Sequence, residues 1–167
     1  MKIFLIGPMG SGKSKIGRIL SEKLSISLFD IDKEIEKDLN MSITEIFASK
    51  GEIFVRNTET DYLIKTKGLR DCIVSTGGGV VEEIKNLEFL RKETNVVFLN
   101  CSVESQYENT RNSAKRPLLL TNDPKLTLQT LYEKRFDSYK KVSKLELLSD
   151  SMSNDEIANK IINHFNV

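Results

Sequence analysis

Five strand-like residues, Lys2-Ile3-Phe4-Leu5-Ile6, run without interruption into Gly7-Pro8-Met9-Gly10-Ser11-Gly12-Lys13-Ser14. The second stretch is G-x-x-x-x-G-K-S, the P-loop pattern of a phosphate-binding loop. A triphosphate needs several backbone N–H groups converging on it, so the loop must be free of obstructing Cβ atoms. Gly7, Gly10 and Gly12 meet that need. The helix opening near Gly12 carries Ile16, Ile19, Leu20 and Leu24 on one apolar face, and its N-terminus points the positive end of its dipole at the phosphates. Lys13 adds a point charge for the β and γ oxygens, and the Ser14 hydroxyl suits a Mg²⁺ ion carried by the nucleotide. A plain Gly-rich turn is the alternative; the strand before it and the amphipathic helix after it favour phosphate binding.

The chain has 167 residues, enough for one domain with a real core, and no Gly/Ser/Pro-rich linker or repeat divides it. Its 25 basic residues stand against 24 acidic ones, so no global charge argues for nucleic acid or an anionic membrane, and phosphate binding must be local. Cys72 and Cys101 lie in apolar runs and read as buried free thiols in a reducing compartment. His164 is the one histidine and no C-x-x-C occurs, which argues against a zinc site. No apolar run has the length of a membrane span, and the N-terminal residues already read as the first strand with no cleavable leader. A cytoplasmic protein is expected.

Ser27-Leu28-Phe29-Asp30-Ile31-Asp32 reads as a short strand ending in two acids. If the chain is still extended there, Asp30 and Asp32 share one side, at the carboxyl end of a strand, where α/β folds place ligand and metal groups. The alternative for Asp32 is a helix N-cap before Lys33-Glu34-Ile35-Glu36-Lys37. Ser42 and Glu45 make a capping box for a helix that Gly51 ends. A second helix turns Phe54, Val55, Thr58, Tyr62 and Leu63 to the core. Arg56 falls off that stripe, where a solvated arginine is the commoner outcome.

The strand Cys72–Thr76 enters Gly77-Gly78-Gly79, more glycine than a turn requires before a helix over Val80–Lys92. Backbone passing close to a ligand or to the P-loop explains three glycines; a flexible loop is the alternative. Val96–Asn100 forms a fourth strand, followed by a helix over Val103–Thr110 capped by Ser102. Arg111, Lys115 and Arg116 precede Pro117 in a surface segment able to open and close. Next to a P-loop, these cations are candidates for stabilising a transferring phosphoryl group. A helix over Leu126–Val142 carries Leu128, Leu131, Tyr132, Phe136 and Tyr139 inward, with Arg135 either projecting into a site or snorkelling. Leu145–Leu148 is a fifth strand, and a last helix, Asp155–Phe165, is structural.

In this order and at this spacing, the motifs resemble those of the shikimate kinase family over nearly the whole chain. They are G-P-M-G-S-G-K-S, the D-x-D of Asp30 and Asp32, S-I-T-E-I-F with Arg56, S-T-G-G-G at 75–79, Arg116-Pro117-Leu118-Leu119, and Arg135 with Tyr139 in R-x-x-x-Y. The resemblance implies an α/β P-loop kinase fold, one domain over 1–167 with a five-stranded parallel sheet in order 2-3-1-4-5. Residues 33–62 would form substrate-binding helices and about 109–123 a lid. It further implies ATP-dependent phosphorylation of the 3-hydroxyl of shikimate by a monomer. Gly10, Ser11, Gly12, Lys13, Ser14 and Lys15 would hold the ATP phosphates, with Ser14 on Mg²⁺ and Asp30 near the metal through water. Asp32 would hydrogen-bond the acceptor hydroxyls and help deprotonate the attacking one. Arg56 and Arg135 would take the shikimate carboxylate, with Gly77, Gly78 and Gly79 against the ring, and Arg116 would reach the phosphates on closure. Lys13, Asp32 and Arg116 are thus the catalytic set.

Four positions depart from the family pattern: Lys15 for a Thr, Ile31 for Ser or Thr, Val55 for a Phe before the substrate arginine, and Asn109 for an adenine-stacking Arg, for which Arg111 would compensate. Two other readings remain. A gluconate kinase also takes a polyhydroxy carboxylate, although G-G-G and R-P-L-L favour shikimate. A non-catalytic nucleotide switch is the other, but the N-K-x-D of a guanine switch is missing: Asn159-Lys160-Ile161-Ile162 lacks the acid.

Overall fold

Strand β1 (Lys2–Ile6) is buried along almost its whole length, which requires neighbours on both edges and layers on both faces. In the computed structural model, which describes residues 1–111 and 117–167, both requirements are met. β3 (Cys72–Ser75) pairs with one edge of β1 and β4 (Val96–Asn100) with the other. β2 (Ser27–Asp30) and β5 (Leu145–Leu148) complete a five-stranded sheet in order β2-β3-β1-β4-β5, with every pairing parallel. This is the expected topology.

The two-residue period of β1 sorts its side chains between two cores. Phe4 and Ile6 join Val74, Val96 and Phe98 on one face. Against that face pack α2 (Ile31–Leu39), α3 (Ile43–Lys65), α4 (Ile84–Lys92) and α6 (Pro124–Val142), through residues such as Ile35, Leu63, Leu90 and Tyr139. Ile3 and Leu5 join Ile73, Val97 and Leu99 on the other face, under α1 (Lys13–Leu24) and α7 (Asn154–Phe165). The short α5 (Val103–Thr110) follows β4. Among the described residues, no helix is long and apolar enough to cross a membrane.

Helix starts follow the local sequence. Ser42 with Glu45 and Ser153 with Glu156 each form a capping box, and Ser102 and Asp123 cap α5 and α6 through their side chains. Gly51 (φ 81°, ψ 170°) breaks α3 into two helices where one was expected to end.

Four sequence expectations need correction. β2 stops at Asp30, and it is Asp30, not Asp32, that caps α2, accepting from the Lys33 N–H at 3.4 Å. Asp32 therefore projects from the first helical turn. The stretch expected as one helix from Val80 to Lys92 is a 3₁₀ turn, Val80–Glu82, then α4, because Glu83 is extended between them. Phe54 is exposed and Thr58 half-buried, since the apolar stripe after Gly51 narrows to Val55, Tyr62 and Leu63. Arg56, expected in solvent, is buried with partners described below.

Phe98 is fully buried in the centre of the larger core and stacks on Tyr139 with ring centroids 4.9 Å apart. Phe98→Ala is expected to lower stability by about 3–5 kcal/mol. Ser153→Ala, which removes one capping box, should cost about 1 kcal/mol. Urea unfolding midpoints check both values and their order.

Candidate active site

The carboxyl ends of β1, β2, β3 and β4 open on one edge of the sheet, and β1 lies at the point where the strand order reverses, the usual ligand position in such sheets. Of the seven helices, α1 and α4 alone start without a side-chain cap among the described residues. For α1 this leaves its N-terminus to an anion. Gly7, Gly10 and Gly12 all have positive φ, as the phosphate-loop reading requires. Lys13 Nζ donates to the carbonyls of Gly7 (2.7 Å) and Pro8 (2.8 Å), so the loop is folded around its own cation.

A cleft of about 720 Å³ lies over this loop. It is lined by all six residues expected to hold the phosphates, Gly10, Ser11, Gly12, Lys13, Ser14 and Lys15. Asn109 closes one wall and donates from Nδ2 to the Gly10 carbonyl at 2.9 Å. Arg111 points elsewhere: it pairs with Glu108 at 3.0 Å on the surface and does not line the cleft. Arg116 lies outside the described residues, as does Lys115.

The turn after β3 is locked to the P-loop strand. Both the Thr76 N–H and the Thr76 hydroxyl donate to the Leu5 carbonyl, at 3.2 and 3.0 Å. The three glycines that follow answer to different neighbours. A Cβ on Gly77 would stand 2.2 Å from Glu59 Oε1 and 3.1 Å from Asp32 Oδ1; one on Gly79 would stand 2.2 Å from Arg56 Nη1. Close approach of side chains, rather than flexibility, thus explains the run. Tyr139 adds a hydrogen bond from its hydroxyl to the Gly78 carbonyl at 2.5 Å.

A second hollow adjoins the cleft, with Gly77, Gly78, Gly79, Arg56, Arg135 and Asp32 in its wall. Asp32 and Gly78 line both spaces, so the two halves meet at those residues. Arg56 donates to Glu59 at 2.7 Å and to Glu52 at 3.0 Å. Burial works against the Arg56 charge, but Glu59, Glu52 and Glu82 outweigh it and raise its pKa. Burial also pushes the Glu59 carboxyl above the ordinary range, with Arg56 and Arg135 opposing. Arg135 is 3 % exposed and forks onto Glu82, so it does not snorkel.

Three buried side-chain polar atoms have no hydrogen-bond partner among the described residues, Asp30 Oδ2, Arg56 Nε and Asn86 Oδ1; of their residues only Arg56 lines the hollow, and Asp30 sits at the end of β2 without lining either space. A native chain rarely leaves such atoms without a use. Asp30 at the end of β2, with Ser14 Oγ 3.5 Å from Ser75 Oγ at the loop, fits the donor set of a nucleotide-borne Mg²⁺. The Arg56 Nε–H is inaccessible where it stands, and the guanidinium would have to shift to offer it to an anion.

The matches to known proteins agree with this geometry. The family model for shikimate kinase matches residues 9–166. The chain belongs to the shikimate kinase family. A shikimate kinase of Marinomonas sp. (strain MWYL1) is 40 % identical over 162 residues, covering 96 % of this chain and 89 % of that one. The solved shikimate kinase of Acinetobacter baumannii in complex with shikimate superposes with a TM-score of 0.94 at 34 % identity, covering 98 % and 92 %. The deoxyadenosine kinase of M. mycoides with bound dATP shares the fold alone, at a TM-score of 0.65 and 18 % identity over the full length of both.

Glu59 and Glu82 were not among the sequence candidates. Glu59 was within reach, standing three residues after Arg56 on one helix face; Glu82 carries no signal, because its partners come from distant segments.

Gly79→Ala should raise the KM for an acidic acceptor about tenfold, since Arg56 must move, and should also lower the melting temperature, since that movement disturbs the buried pair of Arg56 with Glu59. Steady-state kinetics with a thermal melt check this. Both cysteines are buried, and burial pushes the Cys101 thiol up to about 11 against the pull of Lys13. A thiolate reagent should leave native protein unlabelled at about pH 8, with Cys101 reacting only as the pH approaches its raised pKa or the chain unfolds.

Proposed function

We propose that the chain transfers the γ-phosphoryl group of ATP to the 3-hydroxyl of shikimate, giving shikimate 3-phosphate and ADP, a step of chorismate and aromatic amino-acid biosynthesis. The observation that carries this reading is the sharing of Asp32 and Gly78 between the P-loop cleft and the arginine-lined hollow. A phosphoryl donor in one space and a hydroxyl acceptor in the other would meet beside a carboxylate. Family membership and a close structural relative solved with shikimate support the same acceptor.

The roles follow from the chemistry of each group. In-line phosphoryl transfer asks a protein for positioning and charge neutralisation more than covalent chemistry. Loop N–H groups and Lys13 hold and neutralise the phosphates, for which Lys13 exchanges its loop carbonyls for phosphate oxygens. Bound with the nucleotide, Mg²⁺ supplies further charge neutralisation, and Ser14 with Asp30, the latter through water, would hold it. Asp32 orients the acceptor hydroxyl and takes its proton. Arg56 and Arg135 bind the acceptor carboxylate, matching planar forks to a planar anion. On this reading the enzyme is a cytoplasmic monomer acting on a small molecule, as the family resemblance implies.

Asp32→Ala should lower turnover by about 10²–10⁴-fold while ATP binding stays nearly unchanged. A coupled assay supplied with shikimate, with gluconate and with no acceptor reads out the acceptor directly. Turnover with shikimate alone is expected; equal ATP hydrolysis in all three arms would overturn the assignment.

A further inference from the structure

Glu82, at the end of the 3₁₀ turn after the three glycines, belongs to none of the motifs used so far, yet it holds the acceptor arginines together. Its Oε1 accepts from Arg135 Nε at 2.8 Å and also from Arg135 Nη2, a two-bond fork on one edge of the guanidinium. The same oxygen lies 3.9 Å from Arg56 Nη2. Its Oε2 accepts from Lys134. The remaining nitrogen of Arg135, Nη1, is 3.6 Å from where a Gly78 Cβ would lie, next to the backbone shared by the two halves of the site.

The arrangement divides the donors of Arg135. Glu82 takes the Nε–Nη2 edge, and Nη1 is left on the Gly78 side, where the Tyr139 hydroxyl also meets Arg135. We propose that Glu82 is a positioning residue: it fixes the rotation of the Arg135 guanidinium so that Nη1 is presented to the acceptor carboxylate. This inference rests on the reading of Arg135 as a carboxylate ligand.

The competing expectation is electrostatic. A carboxylate 3.9 Å from Arg56 and forked onto Arg135 could instead compete with an acidic acceptor for both cations. Lys134 argues against competition, because it covers the second oxygen of Glu82 and offsets its charge. Lys134 and Arg135 together outweigh burial and lower the pKa of Glu82, so the fork is ionised at neutral pH. A buried guanidinium held at two of its N–H groups by one carboxylate oxygen has its rotation fixed, and loses that orientation without the partner.

The test compares wild type, E82Q, R135A and E82Q/R135A in steady-state kinetics with shikimate and ATP, beside thermal melts. E82Q is expected to raise the KM for shikimate about tenfold, with kcat and the KM for ATP within about twofold of wild type. On the R135A background, E82Q should raise that KM no further, because its effect passes through Arg135. Should E82Q fail to fold, E82D keeps the charge but retracts the fork, and the same rise in KM is expected. An unchanged or lowered KM in the folded variant, or an additional rise on the R135A background, would overturn the proposal. Wild type without shikimate turnover would instead overturn the reading beneath it, and the positioning role with it.

Discussion

The site depends on one close approach, that of the turn after β3 to the loop after β1. Two hydrogen bonds from Thr76 to the Leu5 carbonyl fasten the strand ends. Beyond them, the Gly78 Cβ position comes within 3.3 Å of the Met9 N atom. A side chain there would force the turn or the loop to give by a few tenths of an ångström, at the residue that the cleft and the hollow share. The central place of β1 in a parallel sheet makes the approach possible, because both strand ends open on the same edge.

Around that junction the chain buries more charge than a small core usually tolerates. Arg56, Arg135 and Glu59 are all nearly inaccessible, and Glu82 is only slightly more open. Such groups are tolerable when their hydrogen bonds are mutually arranged, and costly when one partner is lost. The guanidiniums are held mainly by carboxylates from their own helix or the glycine turn. On the proposed reading of these arginines, affinity for an acidic acceptor depends on the carboxylates behind them as much as on the arginines themselves.

Much of this was legible in the sequence, and the exceptions have physical causes. The P-loop, the five strands and the capping box of Ser42 with Glu45 were readable because each is a local pattern. The end of β2 was misplaced by two residues because Asp30 and Asp32 are both good helix-cap residues, and a single chain does not say which one turns first. Arg56 looked solvated because a helical wheel registers the apolar stripe and not the carboxylates that a buried cation brings with it. The three glycines were read as a close approach to a ligand or to the P-loop; Gly78 does meet Met9 of the P-loop, while Gly77 and Gly79 face the Glu59 and Arg56 side chains, which no local pattern announced. Glu82 joins residues more than fifty positions apart, and no periodicity reports that.

The hydrogen bonds from Lys13 to the carbonyls of Gly7 and Pro8 bear on how the site meets its nucleotide. An ammonium tied into its own loop holds that loop in a fixed shape before any ligand arrives. Most of the ordering entropy is then lost during folding rather than at the encounter. The lysine in turn acts as a placeholder: it gives up two neutral carbonyls only for an acceptor that binds it more strongly, which favours highly charged phosphates over weaker anions.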